Sequence, residues 1–87
     1  MKLKVISPQE MLFEGDVDSV TLPGVMGSFT VLKNHASLIA CLTAGNLHYR
    51  TSGDNANENQ EAEKVSIPGG LVSVYKNEVT VCLNEVK

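Results

Sequence analysis

Tryptophan is absent from this 87-residue sequence, and aromatic residues of any kind are scarce. The four aromatic side chains are Phe13, Phe29, Tyr49 and Tyr75. Because 43% of the residues are nonetheless hydrophobic, a core must consist mainly of Val, Leu and Ile, which favour strands. Length and composition together indicate one globular domain spanning residues 1–87.

An excess of basic residues is also missing, since seven Lys and Arg stand against ten Asp and Glu, a net charge of −3. Nucleic-acid binding needs a basic patch, so we expect no nucleic-acid partner. No apolar run reaches the roughly 20 residues of a transmembrane helix, and no apolar segment of a signal peptide follows the first residues. Membrane association is therefore expected only through partner subunits.

Cysteine is limited to Cys41 and Cys82, with no CxxC pair. Each lies in an apolar run, which predicts buried free thiols that act as small hydrophobic groups. A disulfide between them is the alternative, and it would imply an oxidising compartment.

No catalytic constellation is evident. His35 and His48 are the only histidines, and neither has a nucleophile and an orienting group at a spacing that predicts a triad. We expect His48 to face solvent. His35 is expected to hold a loop ahead of an apolar strand. The sequence predicts no catalytic, cofactor-binding or metal-binding residue.

One group of carboxylates has two interpretations, a metal site or a solvated strand edge. Glu14, Asp16 and Asp18 share a strand face if Gly15 does not interrupt the period of two. Three carboxylates suit Ca²⁺ or Mg²⁺, but a solvated edge that resists strand-to-strand association is the favoured interpretation.

Alternating apolar and polar residues dominate the rest of the chain, and no stretch keeps a helical period over three turns. The pattern predicts strands at residues 2–6, 11–16, 17–22, 27–31, 37–42, 46–50, 65–67, 71–75 and 78–83. It therefore predicts an all-β fold, a small antiparallel β-sandwich or flattened barrel of about eight to ten short strands.

Turn residues separate these predicted strands. Leu22-Pro23-Gly24 is predicted to form a sharp turn, Gly15 a bulge, and Lys76-Asn77 a tight turn. The polar tract of residues 51–63 is predicted to be a solvated loop of a hairpin, mobile in preference to partner-bound.

The stretch of residues 22–42 is unusually apolar for so small a chain. Phe29, Val31, Leu38, Ile39 and Ala40 are predicted to lie mainly in the core, with a share of this surface left for a partner.

Five segments in order resemble the N-terminal β-sandwich of the epsilon subunit of F-type ATP synthases, called delta in mitochondria. They are VISPQE from residue 5, FEGDV from residue 13, the 22–42 stretch with NHASLIA, GGLVSV from residue 69 and NEVTV from residue 77. The resemblance covers nearly the whole chain except the polar tract.

The resemblance implies a non-catalytic subunit of the central stalk that clamps the gamma subunit to the c-ring below the F1 catalytic core. It implies a peripheral position on the cytoplasmic face of the bacterial inner membrane. The expected c-ring contacts are Val25, Met26, Gly27, Ser28, Phe29 and Thr30. The expected gamma contacts are Ser7, His35, Ala36, Leu38 and Ile39.

Two departures from the family pattern bear on these expectations. Ser28 stands where many members carry an acidic residue, which weakens an electrostatic version of the c-ring contact. The sequence ends at Lys87, without the helical hairpin that in relatives inhibits ATP hydrolysis and, in some, binds ATP. The hairpin is missing either because the chain is naturally short or because it is truncated, and in the first case coupling without inhibition by this subunit is expected.

Two other classes stay open on the residues alone. A free-standing β-sandwich interaction module is one, although few aromatics argue against sugar binding. A small enzyme is the other, against which the lack of acid–base groups counts.

Overall fold

The computed structural model describes residues 1–34, 36–51 and 63–84, and these form eight strands and no helix. The strands are β1 (Lys2–Ile6), β2 (Met11–Gly24), β3 (Gly27–Leu32), β4 (Leu38–Leu42), β5 (Gly45–Thr51), β6 (Glu63–Ile67), β7 (Gly70–Tyr75) and β8 (Glu78–Leu83). The predicted all-β class is thus confirmed. None of the described segments is a helix long and apolar enough to cross a membrane.

Alternation along the strands, interrupted in β2 at two register shifts, places one set of side chains inside and the other outside. In β8, for example, Val79, Val81 and Leu83 are buried, whereas Glu78 and Cys82 are exposed. The core so formed is purely apolar among the described residues. Its members are Leu3, Val5, Val17, Val20, Leu22, Val31, Leu42, Leu47, Tyr49, Ile67, Val72, Val74, Val79, Val81 and Leu83.

The long strand β2 connects the two halves of the sheet. Its first half pairs with β1, and its second half pairs with β3 on one edge and β5 on the other. The hydrogen-bonded order is β1-β8-β7-β4-β2-β5-β6. Because β2 also pairs directly with β1, the sheet folds back on itself and encloses the apolar core.

The pairing is antiparallel throughout the described strands except between β1 and β8, which run parallel. A parallel pair requires a long connection, and here the whole intervening chain supplies it. The N-terminal strand therefore lies between β2 and β8, in the interior of the sheet.

The turn predicted at Leu22-Pro23-Gly24 is wrong. Pro23 and Gly24 lie inside β2, and the turn follows at Val25 and Met26. The Pro23 carbonyl accepts a hydrogen bond from the Thr43 N–H at 2.8 Å. Proline lacks the donor that would return this bond, and it is tolerated because β2 changes neighbours from β5 to β4 at this point.

The irregularity predicted at Gly15 is displaced. Gly15 pairs regularly with Leu3, and the register shift lies three residues earlier, where Leu12 is passed over between Phe13 and Met11. A second shift passes over Asp18 where β2 meets β5. The two segments predicted for residues 11–22 are consequently one strand.

The prediction that Cys41 and Cys82 are buried is also wrong, because both are exposed free thiols. Both residues alternate with core residues: Cys41 precedes buried Leu42, and Cys82 lies between Val81 and Leu83. The apolar runs around them reflect an apolar outer surface in addition to the core.

The tight turn at Lys76-Asn77 is confirmed, with φ of 48° and 61° at the two residues. Positive φ at both central positions is the signature of a type I′ hairpin turn. His35 and residues 52–62 of the predicted polar loop lie outside the described residues. The strands on either side of that loop do pair, with Tyr49 opposite Glu63.

A candidate protein-docking surface

One outer side of the sheet carries an apolar row across four adjacent strands. Cross-strand pairing aligns Ile6 with Cys82, Cys82 with Leu71, and Leu71 with Cys41. Next to this row Ile39 projects from β4 with 74% of its side chain exposed. We call these five residues the apolar outer face. Such a contiguous exposed patch typically marks an interaction site.

The other end of the same side is charged. The Lys4 ammonium lies 3.1 Å from the Glu78 carboxylate and 3.9 Å from that of Glu14, which Lys2 also approaches at 3.8 Å. The hydrogen bond that Lys4 donates to Glu78, together with the negative charge of the Glu78 carboxylate, raises the pKa of Lys4. The side therefore has an apolar part and an ion-paired part, which gives a docking partner a defined orientation.

The β2–β3 hairpin projects next to β4, and Met26 at its tip is 99% exposed. Gly27 has a φ of 123°, a backbone conformation that only glycine adopts readily. Gly24, opposite Gly27, is packed so closely that an added Cβ would lie 2.6 Å from the Gly27 carbonyl oxygen and 2.9 Å from the Phe29 ring. Two glycines thus allow this hairpin to close tightly.

A groove of about 440 Å³ separates the hairpin tip from β4. Its walls are Gly24, Val25, Met26, Gly27 and Phe29 on one side and Ile39, Ala40 and Cys41 on the other. The apolar outer face therefore continues past Ile39 and Cys41 into the groove beside the hairpin tip.

The loop between β3 and β4 is held by a pair of asparagines. The Asn34 N–H donates to Asn77 Oδ1 at 2.6 Å, and Asn77 Nδ2 donates to Asn34 Oδ1 at 3.0 Å. The Asn77 carbonyl also accepts from the Lys2 N–H at 2.9 Å. Asn77 thereby ties the loop, the β7–β8 turn and β1 together at one end of the molecule.

The residues predicted as gamma contacts lie in different environments. Ile39 belongs to the apolar outer face, Leu38 points partly into the core, and Ala36 is exposed in the loop. Ser7 lies directly after Ile6, at the end of the apolar outer face that is opposite to Ile39. Its hydroxyl donates to the Glu10 carbonyl at 3.0 Å and accepts from the Glu10 N–H at 3.1 Å.

The residues predicted as c-ring contacts form one continuous unit, the hairpin tip and the first part of β3. Val25, Met26, Gly27, Ser28 and Thr30 are exposed. Phe29 is partly buried against the core. The Thr30 hydroxyl lies 2.9 Å from that of Thr21.

Sequence reasoning missed four of the five residues of the apolar outer face, namely Ile6, Leu71, Cys41 and Cys82. The alternation of these four residues with apolar core residues can be read from the sequence. Their side-by-side alignment depends on strand register, which pairs residues far apart in the chain.

The carboxylates considered as a metal site do not converge. Glu14 faces Lys2 and Lys4, whereas Asp18 lies 3.0 Å from the Lys33 ammonium. No group of three potential ligands is found among the residues that the structure describes.

Comparison with known proteins agrees with this architecture. The family model for the beta-sandwich domain of the ATP synthase delta/epsilon chain matches residues 1–87. An ATP synthase epsilon chain from Wolinella succinogenes is 42% identical over 74 residues, covering 85% of this chain and 52% of that relative. One from Leptospira interrogans is 36% identical over 81 residues, covering 93% and 58%.

Solved structures show the same fold. The central stalk and c-ring of the Tetrahymena thermophila mitochondrial ATP synthase contain a chain that matches with a TM-score of 0.75 at 18% identity, over 98% of this chain and 63% of that one. A chain of the Euglena gracilis mitochondrial enzyme matches with a TM-score of 0.79 at 21% identity, over 95% and 49%.

The sequence spans little more than half the length of the curated relatives named above. The match nevertheless includes every strand described here, from β1 to β8. This chain belongs to the ATP synthase delta/epsilon family and comprises its beta-sandwich domain.

Proposed function

We propose that this chain is a non-catalytic component of the central stalk in a rotary proton-translocating ATP synthase. It clamps the gamma subunit to the c-ring, so that rotation of the ring reaches the F1 catalytic core without slipping. It is peripheral, on the cytoplasmic face of the bacterial inner membrane, and attached through these partners. Family membership supports this role, as do the relatives' central-stalk and c-ring structures.

The observation that carries the proposal is the apolar outer face, exposed on a sheet whose core is already complete. Gamma binds there, over a surface that runs from Ser7 and Ile6 to Ile39 and includes Ala36 and Leu38. His35, which precedes Ala36 in the sequence, is also a proposed gamma contact. Stable interfaces bury roughly 1,200 Å² or more in total, so gamma also covers part of the neighbouring surface.

The c-ring contact is assigned to the hairpin tip, Val25 and Met26, together with Gly27, Ser28, Phe29 and Thr30. None of these side chains is charged. The contact is accordingly apolar and hydrogen-bonded, without an acidic group at Ser28.

The test is binding to purified gamma subunit, measured by isothermal titration calorimetry for the wild type and for Ile39→Glu. We expect the variant to bind at least about tenfold more weakly, because a carboxylate buried in an apolar interface is poorly solvated. Leu32→Glu is the matched control, since Leu32 is also an exposed apolar strand residue (57%) but lies on β3, away from the apolar outer face. Equal binding by both variants, or no binding by the wild type, would refute the proposal.

A further inference from the structure

β3 is an edge strand, and the side of it that faces away from β2 is open. It pairs with β2 along its whole length, and no other strand in the described part of the chain packs alongside it. Its residues, Gly27–Leu32, include no charged side chain and no proline. An edge strand without these features is a template for pairing with another extended chain.

The edge strand β6 differs in this respect. Within the described residues it pairs only with β5. It begins with the adjacent charged residues Glu63 and Lys64, and Pro68 follows it directly. Charges and prolines are devices by which natural edge strands avoid pairing. Pairing with another chain is therefore expected at β3 and not at β6.

The pairing with β2 determines which backbone groups β3 directs to its open edge. The Pro23 carbonyl accepts from the Thr43 N–H, so it points away from β3, although Pro23 pairs with Ser28. In an antiparallel pair, successive residues direct their N–H and C=O groups alternately toward and away from the neighbouring strand. Ser28, Thr30 and Leu32 therefore direct both groups to the open edge. These backbone groups make no hydrogen bond to any described residue.

We propose that two copies of this chain associate through β3, as antiparallel strands related by a two-fold axis at Thr30. The N–H of each Thr30 donates to the Thr30 carbonyl of the other copy. Ser28 of each copy exchanges hydrogen bonds with Leu32 of the other in the same way. The sheets of the two copies thereby become continuous, and the open edge of each is covered.

The side chains of β3 suit a second copy of the same strand. The two-fold register places Thr30 opposite Thr30 on the outer side of the sheet, where Thr30 is exposed. On the inner side it places the partly buried Phe29 opposite Val31, twice. Thr–Thr pairs and pairs of an aromatic with a β-branched residue are favourable across antiparallel strands. The strand is thus complementary to itself in this register.

The register also keeps like charges apart. Lys33, the first charged residue after β3, falls opposite Gly27, which has no side chain. The Lys33 ammonium already lies 3.0 Å from the Asp18 carboxylate. The two Lys33 residues are separated by six positions along the paired strands, roughly 20 Å. This distance exceeds the screening length of about 8 Å at physiological ionic strength.

The paired edge includes two of the proposed c-ring contacts, Ser28 and Thr30. A chain that is paired through β3 therefore does not make the proposed contact with the ring, and the dimer is a state of the unassembled chain. This consequence rests on the proposed function, whereas the pairing itself does not.

The experiment places charges at the two-fold axis. Analytical ultracentrifugation measures the dissociation constant of the dimer, which we expect to lie below about 1 mM for the wild type. Thr30→Lys and Thr30→Glu should each raise it at least about tenfold, because like charges directly opposite each other destabilise a strand pair. An equimolar mixture of the two variants should form a heterodimer, since opposite charges then face each other. Ser66→Lys, at an exposed position of β6, is the matched control and should dimerise like the wild type.

A measurement on the wild type needs no substitution, and it decides the question if circular dichroism shows that a variant is unfolded. Amide hydrogen exchange, followed by NMR, should slow at Ser28, Thr30 and Leu32 as the protein concentration rises. The amides of β6 should exchange at the same rate at every concentration.

Several results contradict the inference. These are a wild type that stays monomeric at about 1 mM, a dimer that Thr30→Lys does not weaken, and a mixture of the two folded variants that does not associate. A dimer that Ile39→Glu abolishes and Thr30→Lys does not would assign self-association to the apolar outer face. Edge amides protected only after addition of c-ring would assign the edge to the ring. None of these results affects gamma binding, which tests the proposed function separately.

Discussion

Tyr49 combines a buried ring with a titratable hydroxyl. The ring packs on Phe13, with centroids 4.5 Å apart, and Glu63 lies opposite on β6. Burial, reinforced by the negative charge of Glu63, raises the pKa of Tyr49 above its ordinary value of 10.0. The folded state therefore holds the phenolic proton more tightly than the unfolded state does.

The consequence is a loss of stability at alkaline pH. The contribution of Tyr49 is complete below the pKa of the unfolded chain and is lost as pH rises through the higher pKa of the folded chain. We expect the urea midpoint to fall as the pH rises above about 10. Tyr49→Phe should show a smaller fall, because the remaining groups, including Lys4, still titrate. An identical fall in both proteins would contradict the assignment.

Asn34 and Asn77 act as a pair although 43 positions separate them. Both have positive φ, 64° and 61°, which glycine also adopts without strain. Asn77→Gly therefore removes both hydrogen bonds, and Asn34→Gly removes the one between the two side chains, while both variants preserve the backbone conformation.

A double-mutant cycle should detect this pair. Each net hydrogen bond contributes about 0.5–1.5 kcal/mol, so we expect a coupling free energy of about 1 kcal/mol in urea unfolding. The double variant should be less destabilised than the sum of the two single variants. Simple additivity would mean that the asparagines do not interact in solution.

The β2–β3 hairpin is the element proposed to contact the c-ring. Met26→Asp should weaken retention of the chain on a detergent-solubilised gamma–c-ring complex by about tenfold, because the charge replaces an apolar contact. Its stability should not change, since Met26 makes little contact within the fold.

Leu32→Asp is the control for this variant, because Leu32 is also an exposed apolar residue (57%) but lies at the far end of β3 from the hairpin tip. Met26→Asp should also retain affinity for isolated gamma. Loss of gamma binding by Met26→Asp would place the hairpin tip in the gamma interface instead.

Periodicity predicted the strands well because alternation is a local property. Residues 2–6 and 78–83 were predicted with the bounds that the structure has. The turn after Pro23 was misplaced because a proline can lie within a strand where its missing donor has no partner, and a single sequence does not reveal which strand lies alongside.

The candidate surface was predictable only in part, for a related reason. Ile39 was recognised from its apolar surroundings, but the same surroundings made Cys41 and Cys82 look buried. Whether an apolar residue faces the core or a partner depends on whether it occupies an inward-facing or an outward-facing position of its strand. Which positions face inward becomes clear only when the strand pairing is known.

At the scale of the whole molecule, the N-terminal strand closes the structure. β1 pairs with both β2 and β8, and Leu3 and Val5 are completely buried. Domains of this size have total stabilities of only about 5–15 kcal/mol. A destabilising substitution in β1 should therefore lower the stability of the entire fold, which unfolds in one cooperative transition.

Leu3→Ala should lower the free energy of unfolding by about 2–5 kcal/mol, the usual cost of a cavity in a packed core. Leu12→Ala is the control, since Leu12 is exposed at the register shift. Urea unfolding followed by circular dichroism measures both. Similar small changes for the two variants would show that β1 is not integral to the core.

The 14-residue length of β2 has a mechanical consequence. A force applied to the hairpin tip along this strand shears the hydrogen bonds that β2 makes with β3, β5 and β1. Many hydrogen bonds then share the force and must rupture together. A short strand peeled from an edge would release its bonds one at a time. The chain thus resists a force applied at Met26 along β2 with its whole sheet, and the domain would rotate as one rigid body before the hairpin separated from it.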